Sequence, residues 1–284
     1  MIFTVVMVSY NRDVKLKESL KQLLKTSLHE IVVVDNNSKE ITREILEDMS
    51  REDSRLKIIQ MNENKGASFG FYQGLMYLEN KYSSFITTFL DDDAYFEQKF
   101  LDGLITKISN SDEEFSYLSP RVVNKNGLRL NMNRPMTIIP NTVSKTLKYV
   151  STRRKFGNKN EFVEAASFIG LTIINTEKEK YSSLIPTDYF IYFDDLVFTY
   201  RLSKNRGIKG IYLNELTVIH DMDNGVREYD VSRLSYILTN SIKFNKEVNG
   251  RFFMYPLIIH CYHFINSTKN MKLPVFFKAL LRKR

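Results

Sequence analysis

Four short apolar runs in the first hundred residues each end abruptly in polar residues, and this rhythm restricts the fold more than any other feature. Residues 3–8 give way to "SYNR", 31–34 to "DNNS", 56–61 to "NENKG" and 85–90 to "DDD". The runs are rich in Ile, Val and Phe, as expected of strands covered on both faces. Between them lie helical patterns. Leu16, Leu20, Leu23 and Leu24 recur at i, i+4, i+7 and i+8, with Asp13 as the expected N-cap, and Ile41, Ile45, Leu46 and Met49 repeat the pattern. Residues 66–79 and 97–108 complete the alternation. Such a chain predicts an α/β fold with a mostly parallel sheet built from right-handed crossovers and flanked by helices. Strand ends then share one edge, where ligands bind. Tyr10, Asp35, the "NENKG" loop and the aspartate triplet are therefore expected to meet.

Downstream, residues 120–160 are polar, basic and turn-rich, which predicts a loop or hairpin excursion. "EFVEAASFIGLTIIN" returns to strand character. A helix is expected over 194–205 and a strand over 208–213, and the chain after about residue 226 reads as a helical appendage. No internal repeat or low-complexity tract is visible.

The 284 residues, 43% of them hydrophobic, suffice for one large or two small domains. A formal charge of +8 favours acidic partners such as nucleic acid, anionic lipid or phosphorylated small molecules, although a merely solvated surface accounts for it equally. The single cysteine, Cys261, excludes a disulfide framework and a cysteine-based zinc site. Lying in an apolar run, it is expected to be a small buried hydrophobe in a reducing compartment. The N-terminus lacks a charged leader and a cleavage site and reads as a strand. Residues 252–268, the longest stretch without Lys, Arg, Asp or Glu, fall short of the roughly 18 apolar residues a spanning helix needs.

Asp91, Asp92 and Asp93 repel one another, so something positive is expected beside them. Hard divalent cations prefer oxygen ligands, and in an extended segment Asp91 and Asp93 point to one side, which suits Mg²⁺ or Mn²⁺. An acidic turn preceding a helix N-terminus explains the triplet equally well.

"TVVMVSYNR", "IVVVDNNS", "NENKGASFGFYQG", "FLDDDAYF", "FIYFDDLVFTYRL" and "VIH" follow one another in an order that resembles family 2 glycosyltransferases of the GT-A fold. The branch resembled is that of bacterial rhamnosyl- and galactofuranosyltransferases, and the likeness spans roughly residues 1–220. It implies inverting transfer from a nucleotide-activated sugar, with uridine as the base and thymidine as the other pyrimidine. It places Ser9, Tyr10, Asn11, Asp35, Lys65, Gly66, Asp91 and Asp92 against the nucleotide. Asp91, Asp93 and His220 would hold Mn²⁺ or Mg²⁺, Asp195 would be the catalytic base, and Gly170 and Asp194 would contact donor sugar or acceptor. Physical reasons accompany these roles: a metal neutralises charge on a departing diphosphate, and a carboxylate removes the proton of an attacking hydroxyl. Each residue also has a structural reading: Asp35 as a turn residue, Asp194 as a helix cap, His220 as a core histidine, Gly66, Gly70 and Gly74 as packing glycines. Arg201 faces either a phosphate or solvent on this reading, and His29, His260 and His263 receive no role.

Two departures from the branch stand out. Val197 and Phe198 replace an acidic residue usual along the "DD" helix, and Thr239 stands before Asn240 where the branch tends to have Arg–Asn. A phosphate contact expected from that arginine is thus in question.

The implied organisation is a catalytic domain over 1–225, divided into a nucleotide half (1–118) and an acceptor half (119–225), with a C-terminal extension over 226–284. The extension is basic and aromatic from residue 248 onward and carries no Asp or Glu there. Such segments suit an anionic membrane surface, a homo-oligomer contact being the other reading. The expected partners are a nucleotide-sugar donor and a glycan or lipid-linked oligosaccharide acceptor, at the cytoplasmic face of the cell membrane. The acidic pocket argues against nucleic acid. An inactive nucleotide-sugar-binding subunit and a sugar nucleotidyltransferase are the rival functions; the latter normally has a glycine-rich, basic signature after the first strand, absent from "VSYNRDVKLK".

Overall fold

A computed structural model describes residues 1–110, 114–152, 159–176, 179–222, 230–251 and 253–282. The four apolar runs form strands β1 (Phe3–Ser9), β2 (Glu30–Asp35), β3 (Leu56–Gln60) and β4 (Phe85–Asp91). Helices α1 (Asp13–Leu23), α2 (Glu40–Glu52) and α3 (Ala67–Lys81) connect them. β1 pairs in parallel with β2 and β4, and β2 with β3. Every residue of β1 is buried, and its side chains alternate between two cores. Val5 and Met7 pack with Leu16 and Leu20 of α1 on one face, and Val6 and Val8 with Phe71 and Leu75 of α3 on the other. Gly70 and Gly74 make that second contact close: a Cβ on Gly74 would lie 2.4 Å from Val6 Cγ1. These two glycines serve packing.

The second half departs from a parallel array. β5 (Ala94–Tyr95), α4 (Gln98–Asn110), β6 (Leu118–Val123), α5 (Val143–Thr152), β7 (Glu161–Val163), β8 (Thr172–Asn175), α6 (Asp194–Arg206) and β9 (Gly210–His220) follow in order. The sheet runs β3-β2-β1-β4-β8-β6-β9-β5, with β7 also on β9. β6–β9 is parallel, whereas β4–β8, β6–β8, β5–β9 and β7–β9 are antiparallel. The sheet is therefore mixed, parallel on the side of β1–β4 and largely antiparallel beyond it. β9 runs well past the expected end at residue 213, because polar Asn214 and Glu215 sit at its irregular stretch, where its register with β6 shifts between Pro120 and Arg121. The excursion over 120–160 holds β6 and α5, the latter unforeseen; its residues 153–158 lie outside the described residues.

Helices α7 (Val231–Glu247), α8 (Met254–Lys269) and α9 (Leu273–Leu281) form the expected helical C-terminal part. The expected boundary at 225/226 lies outside the described residues. Two local expectations are corrected. Arg12, not Asp13, occupies the N-cap position of α1, and Asp13 instead accepts from Thr42 Oγ1 of α2. Cys261 is exposed, because the outer face of α8 is uncovered. Among the described residues, no helix is long and apolar enough to cross a membrane.

Candidate functional site

Chain reversal after β4 creates the centre of the site. Beyond Asp91 the backbone turns through Asp92 and Asp93 into β5, whose two residues pair antiparallel with the end of β9: Ala94 with His220, Tyr95 with Ile219. The Asp221 amide donates to the Asp93 carbonyl at 2.7 Å. This short ribbon brings His220 Nε2 to 3.0 Å from Asp93 Oδ1, with both residues buried. Asn133 Oδ1 lies 3.3 Å from His220 Nδ1 on the other side of the ring. Asp91, Asp93 and His220 each present a ligand atom, all within 4.8 Å of one another.

Arg12 answers the repulsion within the triplet. Its guanidinium pairs with Asp93 and approaches Asp92 at 3.5 Å. Burial pushes the Asp92 carboxyl up to about 7, against the Arg12 charge and the hydrogen bond from the Tyr10 amide. Burial acts on Asp93 in the same sense, but His220, Arg12 and Lys15 overcome it and hold that carboxyl below its usual range.

A cavity of about 360 Å³ adjoins this cluster, and Arg12, Asp91, His220, Asp194 and Asp195 all line it. Asp194 and Asp195 form the first turn of α6. The preceding Phe193 and Tyr192 are both left-handed, at φ +68° and +67°. Phe193, not Asp194, holds the N-cap position, so the expected capping role of Asp194 is not realised, while Asp195 Oδ1 accepts from the first-turn amide of Leu196 at 2.8 Å. Burial pushes the Asp195 carboxyl up to about 7, with the Leu196 amide opposing and the Asp91 charge adding to the rise. Burial and the charge of Asp195 raise Asp194 well above the carboxylate range. A carboxyl tuned near neutrality beside a cavity suits proton transfer.

Ser9, Tyr10, Asn11, Asp35, Lys65 and Gly66 gather at the ends of β1–β3, outside the lining of that cavity. Asp35 is buried, accepts from the Ser38 amide at 3.0 Å and leaves Oδ2 without a hydrogen bond, 3.6 Å from Arg43 Nε. The Asn11 amide donates to Ser38 Oγ, and the Lys65 amide to Asn36 Oδ1. Ser9 Oγ is buried without a partner, and the Tyr10 ring stands open at 46% exposure. Gly66 has φ +88°, and a Cβ there would lie 2.1 Å from the Phe190 carbonyl oxygen.

Other expected residues are placed differently. Gly170 is absent from the cavity lining; at φ +78° it packs against Pro120 and Val218. Arg201, half-buried, forms a two-pronged ion pair with Glu247 at 2.8 Å. Among cavity residues not singled out from sequence, Arg12 was legible as the one basic residue of "VSYNR", a charge complement to the triplet. Asn133, Phe168 and Arg233 carry no local signal; they line the cavity from a turn-rich stretch, a connection and α7.

No curated protein matches the sequence significantly. Solved structures share the fold. An S. aureus TarS fragment (1–349) in complex with UDP-GlcNAc superposes at TM-score 0.59 with 16% identity, covering 99% of this chain and 80% of that one. The mannosyltransferase PcManGT from Pyrobaculum calidifontis, in complex with GDP-Man and Mn²⁺, gives 0.54 at 15% identity, covering 98% and 73%. GalNAc-T7 with UDP, GalNAc and Mn²⁺ gives 0.57 at 15% identity, covering 80% and 44%. In sequence, residues 4–172, more than half of the chain, match glycosyl transferase family 2. The chain belongs to glycosyl transferase family 2 and is a glycosyltransferase with the GT-A fold.

Proposed function

We propose that this enzyme moves a sugar, with inversion, from a pyrimidine nucleotide-sugar to a glycan hydroxyl, aided by a divalent cation at Asp91, Asp93 and His220. The supporting observation is that these three ligand atoms lie within 4.8 Å of one another, beside a cavity that Asp195 also lines. Two carboxylates and an imidazole fit a divalent first-row ion, and the imidazole nitrogen favours Mn²⁺ over the strictly oxygen-seeking Mg²⁺. A cation bound there neutralises negative charge on the departing diphosphate.

The chain's own residues supply the rest. Asp35, with its unsatisfied buried oxygen, accepts a hydrogen bond from the base or ribose, and the open Tyr10 ring lies against the base. Ser9, Asn11, Lys65, Gly66 and Asp92 shape the remainder of the nucleotide site. Asp195 takes the acceptor hydroxyl proton as that oxygen bonds to the anomeric carbon. The bond from that carbon to the diphosphate oxygen breaks on the opposite face. Asp194 contacts the sugar or acceptor. Residues 1–118 act as the nucleotide half, 119–225 as the acceptor half and 226–284 as an extension.

The acceptor we favour is a bacterial surface glycan on a lipid carrier, with rhamnosyl or galactofuranosyl transfer as the chemistry. The uncovered faces of α8 and α9 support it. Leu257, Tyr262, Ile265, Phe277 and Leu281 are all exposed, and Lys269, Lys272, Lys278 and Arg282 accompany them without an acidic residue. Such a surface suits peripheral docking on anionic lipid at the cytoplasmic face.

A thermal-shift panel of UDP, dTDP, GDP and CDP, each with and without Mn²⁺, tests the donor reading. Stabilisation by a pyrimidine diphosphate that depends on Mn²⁺ is expected. Equal responses independent of metal would refute it, and selective binding with no turnover of any UDP-sugar would favour an inactive binding subunit.

A further inference from the structure

The segment that carries Asp194 and Asp195 into the cavity is held from two sides. Residues 186–193 lead into α6 through two consecutive aromatic residues, Tyr192 and Phe193, in the left-handed region. Bulky L side chains disfavour that conformation, and it persists only where the surroundings enforce it. On one side, the Ala67 amide at the start of α3 donates to the Phe190 carbonyl at 2.8 Å, and Ser68 Oγ donates to the Pro186 carbonyl at 2.7 Å. On the other side lies a single face of α7.

That face consists of Tyr236, Asn240, Lys243 and Phe244, spaced i, i+4, i+7 and i+8. Tyr236 stacks on Phe190, with ring centroids 5.0 Å apart and planes 12° off parallel. Lys243 Nζ reaches the Asp188 carboxylate at 2.8 Å, and Phe244 meets Phe193. Between them Asn240, buried, donates through Nδ2 to two successive carbonyls, Ile191 at 2.9 Å and Tyr192 at 3.1 Å. The opposite face of α7 is apolar: Leu234 and Leu238 pack with Phe276 and Ala279 of α9.

We propose that Asn240 is a positioning residue of the transfer reaction: its side-chain amide fixes the left-handed turn at Tyr192–Phe193 and so sets where Asp194 and Asp195 stand. This deepens the proposed function and rests on its assignment of Asp195 as base. The helical C-terminal part, on this account, completes the catalytic machinery rather than merely following it. A misplacement of about 1 Å in a reacting group lowers rates by about a hundredfold, without requiring any change in how the donor's nucleotide binds.

The test compares Asn240→Asp and Asn240→Ser with Leu238→Ala. Aspartate keeps the shape but sets an oxygen against two carbonyl oxygens; serine keeps a shorter donor and serves if the first variant does not fold. Leu238→Ala loosens the same helix from its other face. Two readouts are taken on the full chain: amide hydrogen exchange over residues 188–196, and nucleoside diphosphate release from UDP-galactofuranose, dTDP-rhamnose and UDP-N-acetylglucosamine with Mn²⁺, water serving as acceptor. For the Asn240 variants, exchange over 188–196 is expected to rise at least about tenfold and turnover to fall about 10- to 100-fold, with KM for the donor within about threefold. Leu238→Ala is expected to lower the melting temperature yet keep turnover within about threefold of the parent.

Unchanged turnover in a folded Asn240 variant would overturn the proposal. So would equal losses of turnover in Leu238→Ala, since a general loss of stability would then explain both. Unchanged exchange over 188–196 would also overturn it. A parent protein that turned over none of the three donors would instead defeat the proposed function, and the exchange measurement alone would then decide whether Asn240 holds the turn.

Discussion

His220 Nε2 lies 3.0 Å from Asp93 Oδ1, although most of the catalytic fold separates the two residues in sequence. The two-residue strand β5 closes that distance by pairing Ala94 with His220. The same turn places Arg12 against Asp92 and Asp93. A cation entering between Asp91, Asp93 and His220 therefore meets one positive group already in residence.

Opposite effects on metal binding follow for the two neighbours of Asp93. His220→Ala removes a ligand and is expected to weaken Mn²⁺ binding by at least about tenfold, in line with the losses seen when metal sites are stripped of supporting groups. Arg12→Gln removes a like charge and is expected to strengthen Mn²⁺ binding by about 3- to 10-fold at low salt, less as salt rises. Titration calorimetry of Mn²⁺ into each protein reads both. Equal affinities for all three proteins would mean that the ion sits elsewhere.

Asp195→Asn is expected to keep affinity for UDP with Mn²⁺ within about threefold and to lose about 10²- to 10⁴-fold in turnover, the usual worth of a general base. In the parent, turnover should climb with pH through about 7, as the carboxyl held there by burial gives up its proton. The stability effect has the opposite sign. A carboxyl raised from about 3.9 in the unfolded chain binds its proton more tightly when folded, so its contribution falls as pH rises from about 4 to about 7. Melting curves should show Asp195→Asn more stable than the parent at about pH 8, the gap closing toward about pH 4. An unaltered gap across that range would remove Asp195 as the buried titrating group.

Gly66→Ala places a methyl group 2.1 Å from the Phe190 carbonyl oxygen at φ +88°. That positive φ combined with ψ 168° costs about 1–3 kcal/mol for a residue with a Cβ, and the contact adds to it because the neighbour is backbone. The melting temperature is expected to fall by several degrees, about 2–4 °C per kcal/mol in a chain of this size. A melting temperature equal to the parent's would show that the α3 turn and residue 190 separate freely.

Phe277→Asp combined with Leu257→Asp puts charge on the uncovered faces of α9 and α8. Flotation on vesicles containing phosphatidylserine should fall at least about fivefold, whereas neutral vesicles should bind neither protein well. A monodisperse dimer that these substitutions dissociate, with flotation unchanged, would assign the face to self-association.

The parallel half of the sheet was legible because strands buried on both faces leave continuous apolar runs, and polar residues mark their ends. Asp91, Asp194, Asp195 and His220 lie together at one cavity, as the ordered motifs implied. What the sequence withheld has physical causes. β9 breaks its pattern at Asn214 and Glu215, so its length was underread. Helix α5 buries only Thr146 and Tyr149, too few to stand out in a basic, turn-rich stretch. Cys261 was misjudged because an apolar neighbourhood in sequence does not say whether anything covers it. Arg201 pairs with Glu247 of α7, a contact between distant elements that no local spacing encodes.

On the proposed function, a divalent cation and a nucleoside diphosphate meet at Asp91, Asp93 and His220. Anomalous scattering from crystals grown with UDP and Mn²⁺ would locate both. A manganese peak is expected at roughly 2.0–2.3 Å from an oxygen of Asp91, an oxygen of Asp93 and a nitrogen of His220, with a diphosphate oxygen completing the contact. Bound UDP with manganese elsewhere, or with Arg12 still seated on Asp93 and no metal at all, would contradict it.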